Sequence, residues 1–418
     1  PGVTWVDLVF PFFLFSMGAA FPLALTKKLE SGTPKWKLIL QALQRGLLLA
    51  AFAIYIQHIK PYVISSNPDT SVWLTGLLGF VLLFPMLMRL PEKIQREIRW
   101  GIKTAGFAGA AILLSVLKYP DGSGFSVSRS DIIILVLANA AFFGTVIWIC
   151  TKDNILLRLA VLPVYLAFRL TQDVQGSWNL MVWHATPAAW LYKLYYLQYL
   201  FIVIPGTIAG DMIWKWMNTS EIETMAGEKK SLKYISLILL LTAAIIINLW
   251  GLYTRALNFT VFADLLICAA GWYLLKKDEN ETERLYKSLF NWASYWLLLG
   301  ICFEAFEGGI KKDKSTLSYY FVTSGLAVCA YIVFSVLTDI FRKNKYLSLL
   351  TGSGQNPMIA YIGGSNLIMP LLAITSAGSI LNYMLINPWL GFIKGVIFTF
   401  LVALTAWIFS RKNHFWRT

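Results

Sequence analysis

Charged residues are scarce in this chain, because 14% of its 418 residues are Asp, Glu, Lys or Arg while 57% are hydrophobic. Soluble domains carry about 25% charged residues, so this composition excludes an ordinary soluble domain. Nearly uncharged runs of membrane-spanning length recur along the chain, as at residues 235–253 and 326–337 with their flanks. The sequence therefore predicts a polytopic integral membrane protein.

Cysteine is also rare, and its spacing argues against a metal or redox site. The four cysteines are Cys150, Cys268, Cys302 and Cys329, and no two of them have C-x-x-C spacing. They lie within or at the ends of hydrophobic runs, where cysteine is usually a packing residue. No metal site is predicted.

The motifs of common soluble enzymes are missing from the sequence. It contains no G-x-S-x-G, no P-loop, no H-E-x-x-H and no dinucleotide fingerprint. The formal net charge is +14, but the basic residues lie between the hydrophobic runs and form no basic and aromatic module, so no nucleic-acid partner is expected. Function is expected to come from polar groups in or near the membrane.

The hydrophobic runs predict an all-α bundle of about thirteen spans that forms a single transmembrane domain over residues 1–418. The spans are expected near residues 5–26, 38–58, 71–90, 101–118, 131–150, 155–170, 194–214, 233–253, 260–276, 289–309, 317–341, 356–376 and 389–410.

Basic residues are distributed unevenly between the alternate loops that these spans create. One set of loops holds 25 basic residues and the other holds nine. The rich set comprises residues 27–37, 89–103, 151–158, 215–233, 276–287, 342–345 and the tail from 411. Because cytoplasmic loops carry the excess of Lys and Arg, the N-terminus is expected outside, and the C-terminus with Arg411, Lys412 and Arg417 in the cytoplasm.

Charged residues within the predicted spans are the first candidates for function, because each is costly in lipid. Thr4 is positioned to cap the first helix, which places Asp7 in its first turn, where a carboxylate is favoured by the helix dipole. A capping Asp7 and a functional Asp7 both fit this pattern. Arg45 lies deeper in its span than snorkelling easily explains, so a polar cavity or a carboxylate partner is predicted for it.

Glu304 and Glu307 lie three residues apart at the outer end of the tenth predicted span. A helix there places both on one face. Pairing with Lys311 or Lys312 at the membrane edge and a substrate-facing role are both open interpretations. His184 lies in the aromatic-rich outer loop at 171–193, where an interfacial aromatic belt with an incidental histidine is the alternative to a catalytic role.

The first eighteen residues resemble the start of the catalytic domain of the heparan-alpha-glucosaminide N-acetyltransferase family, and in particular its bacterial relatives. The matching positions are Gly2, Thr4, Asp7, Leu8, Val9, Phe10, Pro11, Phe13, Met17 and Gly18. Weaker matches follow at Arg45, Gly206, Gly210, Lys312, Ser318, Tyr319, Asn356, Tyr361, Phe415 and Trp416. The sequence departs from the family at residues 74–78 and at Ser315.

This resemblance implies transfer of acetyl from cytoplasmic acetyl-CoA to a saccharide on the other side of the membrane. It implies catalytic roles for Asp7 and His184, and substrate contacts for Arg45, Glu304, Glu307, Lys312, Tyr319 and Asn356. The family's catalytic histidine lies upstream of the stretch that matches Pro1, so an additional N-terminal span that carries it is expected. Asp7 would then orient that histidine, in an outer cavity shared with Lys312, Tyr319 and Asn356.

Many spans with a few buried charges also fit a transporter or flippase for a saccharide or a lipid-linked sugar. The partners expected on the leading interpretation are the lipid bilayer, a saccharide acceptor and a second copy of the chain. The resemblance to bacterial relatives implies a location in the bacterial inner membrane.

Overall fold

The computed structural model describes residues 2–91, 93–219, 228–277, 280–375 and 377–416, and the regular elements in these ranges are helices. One isolated bridge, between Met88 and Trp416, is the β-type pairing found in them. The predicted all-α fold class is confirmed. Pro1 and Arg417, which the sequence interpretation used, lie outside the described residues.

A helix coincides with each of the thirteen predicted spans, and we label these helices α1 to α13 in chain order. They are Val9–Glu30, Lys35–His58, Thr70–Leu87, Arg96–Val116, Ile132–Thr151, Ile155–Leu170, Leu200–Thr219, Glu228–Thr254, Leu257–Leu274, Glu281–Cys302, Leu317–Ser335, Pro357–Ile374 and Pro388–Arg411. A short 3₁₀ helix, Trp5–Leu8, leads into α1, and a second, Leu194–Tyr199, leads into α7.

Ten of these helices are long and apolar enough to cross a membrane, which identifies an integral membrane protein. The three other helices are too short or not apolar enough to meet these criteria. Helix α4 carries several charges in its first turns, α6 is 16 residues long, and α10 begins with a charged turn. Thirteen crossings therefore stay a prediction.

Short polar side chains determine where several of these helices begin. Asp69 accepts a hydrogen bond from the Val72 N–H at the start of α3, and Asn154, Asn280 and Asn387 cap α6, α10 and α13 in the same way. Each cap satisfies a backbone N–H group that has no partner within its helix. The hydrogen bond from Val72 N–H also lowers the pKa of the Asp69 carboxyl.

The chain divides into two compact units, one made of residues 1–46 and 136–343 and the other of 47–135 and 344–418. The single transmembrane domain stays a prediction. In the first unit, α1 and α7 are in close backbone contact. A Cβ on Gly206 would lie 2.2 Å from Phe15 O, and one on Gly210 would lie 2.3 Å from Ala19 O. Glycine therefore permits this crossing, as small residues do between membrane helices.

The second unit is held by polar contacts at helix ends as well as by apolar packing. Asp131 accepts hydrogen bonds from Lys60 Nζ at 2.7 Å and from the Tyr361 hydroxyl at 2.9 Å. Asn366 donates to the Ile59 carbonyl at 2.8 Å. These bonds join segments that are far apart in the sequence, so they define the register of the helices within this unit.

Candidate functional site

Residues 303–316, which connect α10 to α11, form what we call the acid–base loop. Helix α10 ends at Cys302 and is followed by a 3₁₀ turn, Phe303–Ala305. The chain then reverses through Glu307, Gly308 and Gly309, all with positive φ. A Cβ on Gly309 would lie 2.8 Å from Glu304 Oε1, so glycine is needed where the loop folds over that carboxylate.

The prediction that a span extends to residue 309, with Glu304 and Glu307 on one helix face, is wrong. The helix ends earlier because the Gly-Gly pair supports a left-handed turn that helix geometry forbids. The two carboxylates consequently point to different partners, and neither pairs with Lys311 or Lys312 through its side chain in the described residues.

Glu304 pairs with Arg255, which lies in the turn between α8 and α9 and has φ of +63°. The Ile310 N–H also donates to Glu304 Oε1 at 3.3 Å. Glu304 is buried at 6% exposure, so the guanidinium supplies the charge that such a carboxylate requires. This pair fixes the acid–base loop to the α8–α9 turn.

Glu307 pairs with Arg169, at the last turn of α6, over 2.6 Å. Its second oxygen accepts from the Leu317 N–H at 2.7 Å, at the start of α11. Arg169 Nη2 also donates to the Ser315 carbonyl at 2.7 Å, while its Nη1 is buried without a hydrogen-bond partner among the described residues. Glu307 therefore caps α11 and attaches the loop to α6.

Asp7 makes the third charged contact of the loop. Its Oδ1 lies 3.3 Å from Lys312 Nζ, and its Oδ2 accepts from the Thr4 N–H at 2.9 Å and the Thr4 hydroxyl at 2.8 Å. The Tyr319 hydroxyl donates to the Asp7 backbone carbonyl at 2.7 Å. Three predicted site residues, Asp7, Lys312 and Tyr319, therefore come together. The predicted capping by Thr4 is present as well.

The Asp7–Lys312 pair has no buried member, whereas each of the other two pairs has one. The side chains of Asp7 and Lys312 are 20% and 41% exposed. Those of Glu304 and Arg169 are 7% and 8% exposed, and their partners Arg255 and Glu307 are 35% and 24% exposed. Nearby, the Tyr199 hydroxyl lies 3.2 Å from Ser315 Oγ and its ring packs edge-on against Phe10. A partly exposed carboxylate and a partly exposed ammonium thus lie side by side, and the partly buried rings of Tyr199 and Phe10 pack nearby.

His184 and Arg45 are not brought into this cluster. His184 is exposed at the end of the helix Trp178–His184, and it has no hydrogen-bond partner among the described residues. The carboxylate partner expected for Arg45 is absent from the described part of the chain, because its side chain is exposed and forms no ion pair there. The described residues therefore give Arg45 no carboxylate partner, and the alternative expectation of a polar cavity stays a prediction.

Asn356 lies at the start of α12 and binds the C-terminal segment. It is fully buried, its Nδ2 donates to the His414 carbonyl at 2.8 Å, and its Oδ1 accepts from the Trp416 N–H at 3.3 Å. These bonds account for its conformation without a substrate.

Sequence reasoning missed a basic cavity in the second unit. It has a volume of about 360 Å³ and is lined by Arg89, Leu90, Arg96, Arg99, Trp100 and Lys103. The Arg89 N–H donates to the Phe415 carbonyl at 2.9 Å, so this cavity lies at the same end of the unit as the C-terminal segment. The sequence feature that could have indicated this cavity is the spacing of residues 96, 99 and 103, because it places three cations along one side of α4.

A second missed feature is the buried arginine at the other end of α6. Arg158 is fully buried and pairs with Asp211 of α7, which also accepts from Trp148 Nε1 at 3.0 Å. Arg158 Nη1 further donates to the Thr207 hydroxyl at 3.3 Å. The sequence analysis includes Arg158 only among the basic residues of the predicted loop at 151–158.

Comparison with known proteins gives one match to a protein family. A family model described as "Domain of unknown function (DUF5009)" matches residues 1–213. No curated protein matches the chain, and no solved structure does. The matched region contains the residues of the basic cavity. It also contains Asp7 and Arg169, each of which forms a charged pair with a residue of the acid–base loop.

Proposed function

The chain belongs to the family described as domain of unknown function DUF5009, and from that premise we propose that it is a membrane-bound acyltransferase. It moves acetyl from cytoplasmic acetyl-CoA to a saccharide on the other side of the membrane. The observation that carries this proposal is the meeting of Asp7 with Lys312 and Tyr319, since Asp7 and Tyr319 lie 312 residues apart in sequence. The same three residues were predicted from the family resemblance.

Acetyl transfer requires a base and an oxyanion donor. The acceptor nitrogen or oxygen attacks the thioester carbonyl, the C–S bond breaks, and the thiolate takes up the proton that the acceptor loses. Asp7 is the base in this proposal, because Thr4 holds its Oδ2 while its Oδ1 accepts no hydrogen bond from Thr4 and lies 3.3 Å from Lys312 Nζ. Lys312 supplies the positive charge for the oxyanion. Tyr319 is a positioning residue, since its hydroxyl binds the Asp7 backbone.

Among the residues of this sequence, His184 is the other candidate base. It is exposed and has no carboxylate partner among the described residues, so nothing there orients its imidazole. Carboxylate orientation is the usual means by which a catalytic imidazole is held in the right tautomer. We therefore assign the base to Asp7.

The basic cavity supports a binding site for the donor. Its four cations suit the phosphate groups of acetyl-CoA, and the exposed Trp100 ring suits the adenine. The cavity is built from one of the loops rich in Lys and Arg, which the positive-inside rule assigns to the cytoplasm. Cytoplasmic acetyl-CoA would meet it from that side.

The buried pairs support the loop rather than the chemistry. Glu304 and Glu307 are each occupied by an arginine and by a backbone N–H group. We propose that they hold the acid–base loop in place, so that Lys312 stays next to Asp7. A saccharide or lipid-linked-sugar transporter is the competing proposal, favoured by the fully buried Arg158 between helices.

The test uses the purified full chain in lipid vesicles with acetyl-CoA labelled in the acetyl group. A panel of amino sugars and neutral sugars is supplied on the opposite side of the membrane. The acyltransferase proposal predicts labelled acetyl sugar. Sugar that crosses the vesicle membrane unmodified, with no labelled product, would contradict it and favour transport.

A further inference from the structure

Asp264, within α9, differs from the other buried acidic residues of the described chain. Asp131, Glu283 and Glu304 each have a lysine or arginine partner within ion-pair distance. Asp264 is fully buried and has no such cation among the described residues. It lies inside an apolar helix long enough to cross a membrane, where an unpaired negative charge is very costly.

The partner of Asp264 is Asn248, on the neighbouring helix α8. Asn248 Nδ2 donates to Asp264 Oδ1 at 2.7 Å and to the Ala244 carbonyl at 3.0 Å. Both amide hydrogens are therefore used, which fixes the orientation of the amide. Asn248 is fully buried like Asp264. The two side chains form an isolated polar pair between the two helices.

Two oxygen atoms of this pair are left without a hydrogen bond. Asp264 Oδ2 and Asn248 Oδ1 are both buried and have no partner in the described structure. Both are acceptors as long as Asp264 is ionised, so they cannot bond to each other. One proton on Asp264 Oδ2 turns it into a donor, and the amide oxygen of its own partner is an acceptor with a free lone pair.

We propose that Asp264 is a proton-binding site in the membrane interior of this protein, kept as a carboxylic acid by its burial and hydrogen-bonded to Asn248. The carboxylic acid accepts one hydrogen bond from the amide and donates one to it, so the pair is neutral and satisfied. The titratable groups on which Asp264 acts electrostatically are the buried thiols of Cys268, on α9, and Cys329, on α11. Neither thiol supplies a positive charge.

This site is separate from the acid–base loop, and the proposal does not depend on acetyl transfer. Glu283 is an internal control for Asp264, because it is an acidic residue of the same chain that is 2% exposed and therefore similarly buried. Glu283 lies 2.9 Å from Lys233 Nζ, so its carboxylate has the cationic partner that Asp264 lacks among the described residues. A measurement that detects protonated carboxyl groups should distinguish the two residues.

Infrared spectroscopy of the full chain in lipid vesicles at neutral pH tests the proposal, because a protonated carboxyl group absorbs apart from a carboxylate. The acid absorption should be present in the native chain, disappear in Asp264→Asn, and remain in Glu283→Gln. An acid absorption unchanged by Asp264→Asn would overturn the proposal. So would an absorption that disappears when sodium ions are added, since the carboxylate would then be binding a cation.

Thermal unfolding provides the second readout. Asparagine has the shape and the hydrogen-bonding groups of a protonated aspartic acid, so Asp264→Asn should keep the native melting temperature. Asp264→Leu leaves the oxygen and one amide hydrogen of Asn248 without a partner and should lower the melting temperature. If Asp264→Asn is destabilised as much as Asp264→Leu, or fails to fold, the site requires a negative charge and the proposal is wrong.

Discussion

At the scale of single residues, three charged side chains of the acid–base loop, Glu304, Glu307 and Lys312, each pair with an opposite charge from a different element. Arg255 comes from the α8–α9 turn, Arg169 from the end of α6, and Asp7 from the start of the chain. Each pair closes a contact between segments that are distant in sequence. The buried pairs are therefore expected to matter more for the position of the loop than for its chemistry.

The Glu307–Arg169 pair gives a prediction about stability. Glu307→Gln keeps an acceptor for the Leu317 N–H but leaves the buried Arg169 charge uncompensated, and its Nη1 already has no described partner. We expect a loss of about 2 to 3 kcal/mol in the free energy of unfolding, reduced from the fully buried case by partial exposure. Denaturant titration in detergent micelles measures it.

The matched control is Glu281→Gln, which breaks the exposed Glu281–Arg284 pair. That variant should cost far less, because an exposed pair at this helical spacing contributes little. Equal losses in the two variants would show that the Glu307 pair is no more than a surface contact.

Residue-level prediction succeeded where a motif or a capping rule applied and failed where tertiary partners decide. Asp7 and its capping by Thr4 follow from local helix rules, and Lys312 and Tyr319 followed from the family pattern. The partners of Glu304 and Glu307 could not be predicted, because Arg255 and Arg169 approach from elsewhere in the chain. For Arg45 a polar cavity or a carboxylate partner was predicted, and the described structure shows no carboxylate partner.

At the scale of helices, the crossing of α1 and α7 depends on glycine rather than on apolar volume. Gly206 and Gly210 face backbone carbonyl groups of α1 at distances that no side chain allows. Gly18 makes the reciprocal contact, since a Cβ there would lie 2.3 Å from Val203 O. These contacts bring the N-terminal segment with Asp7 into a fixed position in the first unit.

Gly206→Ala should therefore destabilise the first unit. The added Cβ would meet Phe15 O at 2.2 Å, so the helices must move apart at a cost of about 1 to 3 kcal/mol. Gly101→Ala in α4 is the control, because nothing lies within 4 Å of a Cβ there and alanine favours the helix. Melting temperatures of the two variants should move in opposite directions, and a stabilising Gly206→Ala would refute the close crossing.

The positions of the helices were predictable because apolar runs, caps and Gly or Pro breaks are local features of the sequence. The end of α10 was not, since residues 303–307 remain mostly apolar and acidic and the turn is created by Gly308 and Gly309. Predicting the basic cavity would have required the helical register of α4 and the contact between Arg89 and the C-terminal segment. A pattern of hydrophobic residues reveals neither of these.

At the scale of the whole molecule, the distribution of basic residues predicts which loops face the cytoplasm. A cysteine introduced at Lys343 should react with a membrane-impermeant maleimide only from the cytoplasmic side, and one at Asp121 only from outside. The native cysteines are replaced first, because Cys150 and Cys302 are exposed. Labelling of the Lys343 site from outside would contradict the orientation.

The most direct measurement of the central claim is acetyl transfer by Asp7→Asn beside Asp69→Asn. Both aspartates accept a backbone hydrogen bond at the start of a helix, but only Asp7 lies beside Lys312. Asparagine still accepts these bonds, so both variants should stay folded. The account predicts a loss of about 100-fold or more in Asp7→Asn, the size expected for removing a general base, and native activity in Asp69→Asn. Full activity in Asp7→Asn, with the native chain active in the same assay, would reduce Asp7 to a helix cap and contradict the account.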